Sequence, residues 1–148
     1  MIRKFAGFLL ALILVSSQEA LAWQIMRGSN GKDVQAILGM TTNDGANAAV
    51  IVDFIAKYEC DPVLTLLEYR GQPLGAPTTK TAQRGSSKVT ISAGNISASF
   101  YPWVIEYANG SELVCNEAIC SPVLEAIVLG HSPIRVDNGS GRVLEFPK

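Results

Sequence analysis

A single histidine, His131, and three cysteines, Cys60, Cys115 and Cys120, are all that 148 residues offer of the side chains that most often bind transition metals or form nucleophile–base pairs. The C-x4-C spacing of Cys115 and Cys120, with no second cysteine pair, is a poor zinc signature. Phosphate loops are missing too. The one candidate, Gly71-Gln72-Pro73-Leu74-Gly75, lacks the Lys-Ser/Thr pair and the helix that a nucleotide loop needs. Positive charge is not in excess either, with 12 basic residues against 13 acidic. No cofactor and no nucleic-acid partner are therefore expected, because binding nucleic acid rests on clustered positive charge.

One long apolar run is present, and it stands at the start. Arg3 and Lys4 precede an apolar stretch from Phe5 to Val15, followed by Ser16, Ser17, Gln18 and Glu19 and closing on Ala20-Leu21-Ala22. Basic region, apolar region and small-x-small site form the layout of a secretory signal, and the run is about half the ~20 residues a spanning helix needs. Residues 1–22 are thus expected to be removed, leaving 23–148 as one domain, with no later membrane span. Removing Arg3, Lys4 and Glu19 leaves 10 basic and 12 acidic residues, a net charge of −2. The expected location is periplasmic or secreted.

Export into an oxidising compartment permits disulfides. The odd count allows at most one bridge within the chain. Cys115 with Cys120 is the pairing expected from their short separation, and a bridge from Cys60 to either of them is the alternative. An unbridged Cys60 reads as a small buried apolar side chain.

Turn chemistry and two-residue periodicity point to a mainly β protein. Asn-Gly, the strongest short hairpin signal, occurs at Asn30-Gly31, Asn109-Gly110 and Asn138-Gly139, each between apolar segments. These predict hairpins with the mirror-image type I′ turn. The three Asn-x-Ser matches at Asn95, Asn109 and Asn138 read as the same turn chemistry. Val89 and Ile91 alternate with polar neighbours, as do Ile96, Ala98 and Phe100, around a turn at Gly94-Asn95. The runs Ala48–Ala56 and Val63–Tyr69 are apolar on both faces and predict central strands. Asp53 interrupts the first and is expected at a solvent-facing or edge position.

One helix is expected near residues 122–129, with Ser121 as N-cap, Pro122 in its first turn and Gly130 as its stop. The sum is a small antiparallel β-sandwich or partly open barrel with one short helix. The stretch from Gly71 to Ser87, rich in Gly, Pro, Thr and Ser, reads as a mobile loop. As a functional loop it would set Lys80 and Arg84 against an acidic partner surface.

Chemistry-bearing residues are few. Any serine or cysteine mechanism must run through His131, whose place after Gly130 is explained by the favourable end of the helix dipole. Glu106, Glu112, Glu117 and Glu125 fall on or near one hairpin and contain the carboxylates a glycosidase needs, but at this spacing they read as solvent-facing. The expected contact residues are Lys80 and Arg84 of the loop with the aromatics Tyr101, Trp103 and Tyr107, at least one of which should pack into the core.

A tryptophan at the mature N-terminus, Trp23, precedes a buried strand ending near Cys60-Asp61-Pro62 and a second strand running into Gly71-Gln72-Pro73-Leu74-Gly75. This arrangement resembles small periplasmic β proteins of the invasion-associated locus B type, over roughly half the mature chain. The resemblance implies a β-sandwich acting at the envelope by protein contact. It also implies a cysteine partner for Cys60, where this chain has Asp53 and Phe54. The reading is a non-enzymatic protein that binds another protein; its rival is a small secreted hydrolase using His131 or a glutamate pair.

Overall fold

The computed structural model describes residues 23–59 and 61–147. The leader reading of residues 1–22 and the state of Cys60 lie outside the described residues.

Among the described residues eleven strands form two antiparallel sheets that do not close into a barrel. The larger has seven strands in the order β1-β2-β3-β4-β9-β8-β5, comprising β1 (Gln24–Arg27), β2 (Val34–Thr41), β3 (Asn47–Phe54), β4 (Pro62–Tyr69), β9 (Gly110–Cys115), β8 (Trp103–Tyr107) and β5 (Gln83–Arg84). The smaller runs β11-β10-β6-β7, from β11 (Val143–Phe146), β10 (Ile134–Asp137), β6 (Val89–Ala93) and β7 (Ile96–Phe100). The architecture is the β-sandwich expected, with the predicted helix as α1 (Ser121–Val128) packed on β6 and β7.

β3 and β4 are central, as their two-faced apolar runs predict, and each face has its own core. Alternate side chains point to opposite faces of a strand. Ala48, Val50 and Val52 of β3 and Leu64 and Leu66 of β4 therefore meet the smaller sheet and α1 in the main core. Ala49 and Ile51 with Leu67 and Tyr69 face outward, into a second cluster completed by Ile37, Tyr107 and Leu74. Leu74 comes from the segment 71–87, which is tied to the sheet at three places. Leu74 is buried, the Thr78 amide donates to the Glu106 carbonyl (2.8 Å), and β5 pairs with β8.

Three local expectations need correction. In the second hairpin, Tyr107 pairs with Gly110, so the two turn residues are Ala108 and Asn109 and Gly110 already belongs to β9. Neither turn residue has positive φ, nor do Asn30 and Asn138, so none of the Asn-Gly hairpins uses the type I′ turn. The side chains instead hold longer connections. Asn138 Oδ1 accepts from the Ser140 amide (3.0 Å), and Asn30 Oδ1 accepts from the amides of Lys32 (2.9 Å) and Asp33 (3.0 Å). Of the tight turns, Gly94-Asn95 has its glycine at φ 60° in the first position, as a type II′ hairpin requires.

Ser121 is not a cap. A 3-10 turn at Ala118–Cys120 runs straight into α1, so the flanking residue is Cys120, with no side-chain cap. The end is as expected. Gly130 has φ 82°, its amide donates to Ile127 O and the His131 amide to Ala126 O, satisfying the last carbonyls in a Schellman arrangement. Cys115 and Cys120 form the disulfide, joining the end of β9 to the start of α1.

Asp53 is the third correction. It sits mid-sheet on β3 at 7% exposure, because Gln35 on the neighbouring strand donates an Nε2–H to its carboxylate (2.7 Å) and makes burial tolerable.

Candidate interaction surface

The five expected contact residues separate into three environments. Arg84 and Trp103 lie directly opposite each other across β5 and β8, on the outward face of the larger sheet. The guanidinium stacks over the indole with its carbon 5.4 Å from the ring centre, and the same guanidinium pairs with Glu117 just beyond β9. Tyr101 precedes β8 and carries the Lys88 ammonium 5.8 Å from its ring centre. Both rings are open to solvent, Tyr101 at 44% and Trp103 at 38%. Two exposed rings, Trp103 on β8 and Tyr101 in the connection just before it, thus each lie under a cation, a contact that contributes about 0.5–1 kcal/mol at exposed sites.

Tyr107 is enclosed. It shares the outward face of β8 with Trp103 but is buried in the second cluster, where its hydroxyl donates to Glu112 (3.0 Å). At least one of the three rings is expected to pack into a core, and Tyr107 does so. Lys80 is exposed and makes no ion pair among the described residues.

The glutamates lie in different environments. Glu106 and Glu125 are exposed, and Glu117 is held by Arg84, which lowers its carboxyl below the ordinary range. Glu112 overturns the expectation of a solvent-facing row, being 6% exposed. Burial pushes its carboxyl above the ordinary 4.5; the Tyr107 hydrogen bond opposes the shift and the charge of Asp53 adds to it. Desolvation by burial likewise raises the Tyr107 hydroxyl, helped by Glu112. Both carboxylates of the outward face, Asp53 and Glu112, are thus enclosed, with Gln35 and Tyr107 as their hydrogen-bond donors.

A pH dependence follows from Glu112. A carboxyl raised on folding contributes stability that is fully present below its unfolded value, near 4.5, and is lost as pH rises through the folded value. Glu112→Gln should therefore be more stable than the parent at pH 7 and lose that advantage at pH 4. Denaturant titrations at the two pH values test this. Parallel pH profiles for parent and variant would contradict it.

His131 is exposed and its imidazole makes no hydrogen bond among the described residues; its backbone ends α1. A cleft of about 250 Å³ opens between the sheets, lined by Leu66, Leu113, Leu144 and Phe146 and by the polar Glu68 and Arg70. Those polar groups already hold the sandwich together. Arg142, just before β11, sets its Nε 2.8 Å from the Glu68 carboxylate and its Nη1 3.0 Å from Asp44, which Arg70 also binds. Hydrogen bonds from Arg142, then Thr42 and Arg70, hold the Asp44 carboxyl far below the ordinary range.

Lys88 over Tyr101 and Glu117 beside Arg84 join these contacts, and neither is among the expected contact residues. The signal for Lys88 is its place in a long stretch without acidic residues; Glu117 carries none, since its partner lies 33 positions away. No described group of histidine, cysteine, aspartate and glutamate side chains is arranged to hold a metal ion. Among the described residues no helix is long and apolar enough to cross a membrane. No family model, no curated protein and no solved structure matches the chain.

Proposed function

We propose that the mature chain is an exported, non-enzymatic interaction protein of the bacterial envelope, periplasmic or secreted, that binds a protein partner through the edge formed by Arg84, Lys88, Tyr101 and Trp103. The observation that carries this reading is the pair of exposed rings, two residues apart in the chain, each with a cation over it. Tryptophan, tyrosine and arginine are the residue types that dominate protein interfaces, because they bury large apolar area while keeping a polar handle. The disulfide fits an oxidising compartment.

The hydrolase alternative has less to draw on. Of its glutamates Glu112 is buried and Glu117 is paired with Arg84, and His131 has no side-chain hydrogen bond among the described residues. Affinity capture from the envelope fraction with the full chain, purified after export, tests the reading. A reproducible partner should fall by about tenfold when Trp103→Ala and Tyr101→Ala are combined, the size expected for removing an interface anchor. Recovery unaffected by the double substitution, or no reproducible partner, would sink the proposal.

A further inference from the structure

Between Glu68 and Glu106 the chain contains no aspartate or glutamate, yet it carries Arg70, Lys80, Arg84 and Lys88. For a mature chain with more acidic than basic residues this is a marked segregation of charge. The fold brings the later part of that stretch to one edge. β5 is the terminal strand of the larger sheet, paired with β8 on one side and with no strand on the other among the described residues. Gln83 and Arg84 are both exposed.

We propose that this edge receives an extended acidic segment of a partner protein, which adds as a strand beside β5 and sets its carboxylates against Arg84 and Lys88. The inference rests on the interaction reading above and specifies the chemistry of the partner. An edge strand offers its free backbone groups to an incoming chain, and alternate side chains of that chain supply specificity. Arg84 and Trp103 share one face, whereas Gln83 and Val104 share the other. Beside β5 an added strand therefore meets the cation of Arg84 on one face and the neutral Gln83 on the other. Alternating acidic and apolar residues match that pattern.

The Arg84–Glu117 contact shows that the site accepts a carboxylate. Both side chains are open to solvent, at 42% and 41%, so the pair can exchange with an incoming acid. Glu117 then acts as an internal competitor. Nucleic acid fits less well, since three cations on a net-negative protein fall short of the clustered charge that phosphate binding uses.

The test is fluorescence anisotropy of a fluorescein-labelled peptide of alternating glutamate and leucine, titrated with the full chain. A lysine–leucine peptide, oligothymidylate and phosphatidylglycerol vesicles serve as comparisons. Arg84→Gln should weaken binding of the acidic peptide about three- to fivefold and Glu117→Gln should strengthen it by a similar factor, as for exposed charge pairs. Both effects should shrink at about 0.5 M salt. Unchanged circular dichroism keeps the comparison on binding. The proposal is overturned by absence of binding, by indifference to both substitutions, or by tighter binding of the oligonucleotide or the vesicles. Envelope capture that depends on Trp103 but ignores Arg84→Gln, Glu117→Gln and salt would leave the interaction reading standing and remove the acidic segment.

Discussion

Gly110→Val is expected to cost at least about 3 kcal/mol of stability, enough to lower the thermal midpoint by on the order of 10 °C. A Cβ on Gly110 would lie 2.3 Å from the Glu68 carbonyl oxygen and 2.6 Å from the Tyr69 Cβ, so relief requires movement of the backbone of β4. Gly110 is the first residue of β9, opposite Tyr69 on one side and Tyr107 on the other. Pushing it away loosens the ladder between the two strands and the Asn109 side chain, which donates to the carbonyls of Arg70 and Gln72. Its φ is not positive, so close approach and not turn geometry makes glycine necessary here. Gly75→Ala is the control. A Cβ there meets nothing within 4 Å, and the change should stay within about 0.5 kcal/mol. Equal denaturation midpoints for the two variants would contradict the packing described.

Phe146→Ala should be of similar severity, about 3–5 kcal/mol. The ring is 1% exposed in the main core, and β11, which carries it, has four residues and a single strand neighbour, β10. Little else fastens this edge. Arg142 ties its start to Glu68 and Asp44, but those are partly exposed charge pairs, worth far less than a buried ring. Phe146→Leu, which keeps most of the apolar volume, should lose less than about 1.5 kcal/mol. Urea titration of the three proteins decides it. A loss below about 1 kcal/mol for the alanine variant would mean that the ring does not close the sandwich.

The strands were legible in the sequence wherever their environment is written into their own residues. Val89 and Ile91 against Ile96, Ala98 and Phe100 give the alternation of β6 and β7, each with one face on the main core. Ala48–Ala56 and Val63–Tyr69 are apolar on both faces because β3 and β4 have a core on each side. Asp53 and Glu112 read as solvent-facing because what encloses them is not written in their own neighbourhoods. Gln35 lies 18 positions from Asp53, and the segment that carries Leu74 over the outward face lies between β4 and β6. Tyr107 is only five positions from Glu112, but the hydrogen bond depends on a turn at Ala108-Asn109 that the Asn-Gly pattern displaced by one residue.

The edge was half legible. Arg84 stands out as a charge in a Gly/Pro/Thr/Ser-rich stretch and Tyr101 and Trp103 as closely spaced aromatics, whereas the Arg84–Trp103 pairing depends on β5, two residues of that stretch that β8 captures. No periodicity can announce a strand of that length. The same pairing places Arg84 over Trp103 and within reach of Glu117, so the feature on which the functional proposal rests is a tertiary one.

Photo-crosslinking in the producing cells tests the central claim most directly. With p-benzoylphenylalanine at position 101, which keeps an aromatic ring on the edge, the account predicts a discrete covalent adduct in the envelope fraction that disappears when Trp103→Ala is added. The same probe at position 135, exposed on β10 of the smaller sheet, should give none. No adduct from position 101, or the same adduct from both positions, would contradict a protein contact made through this edge.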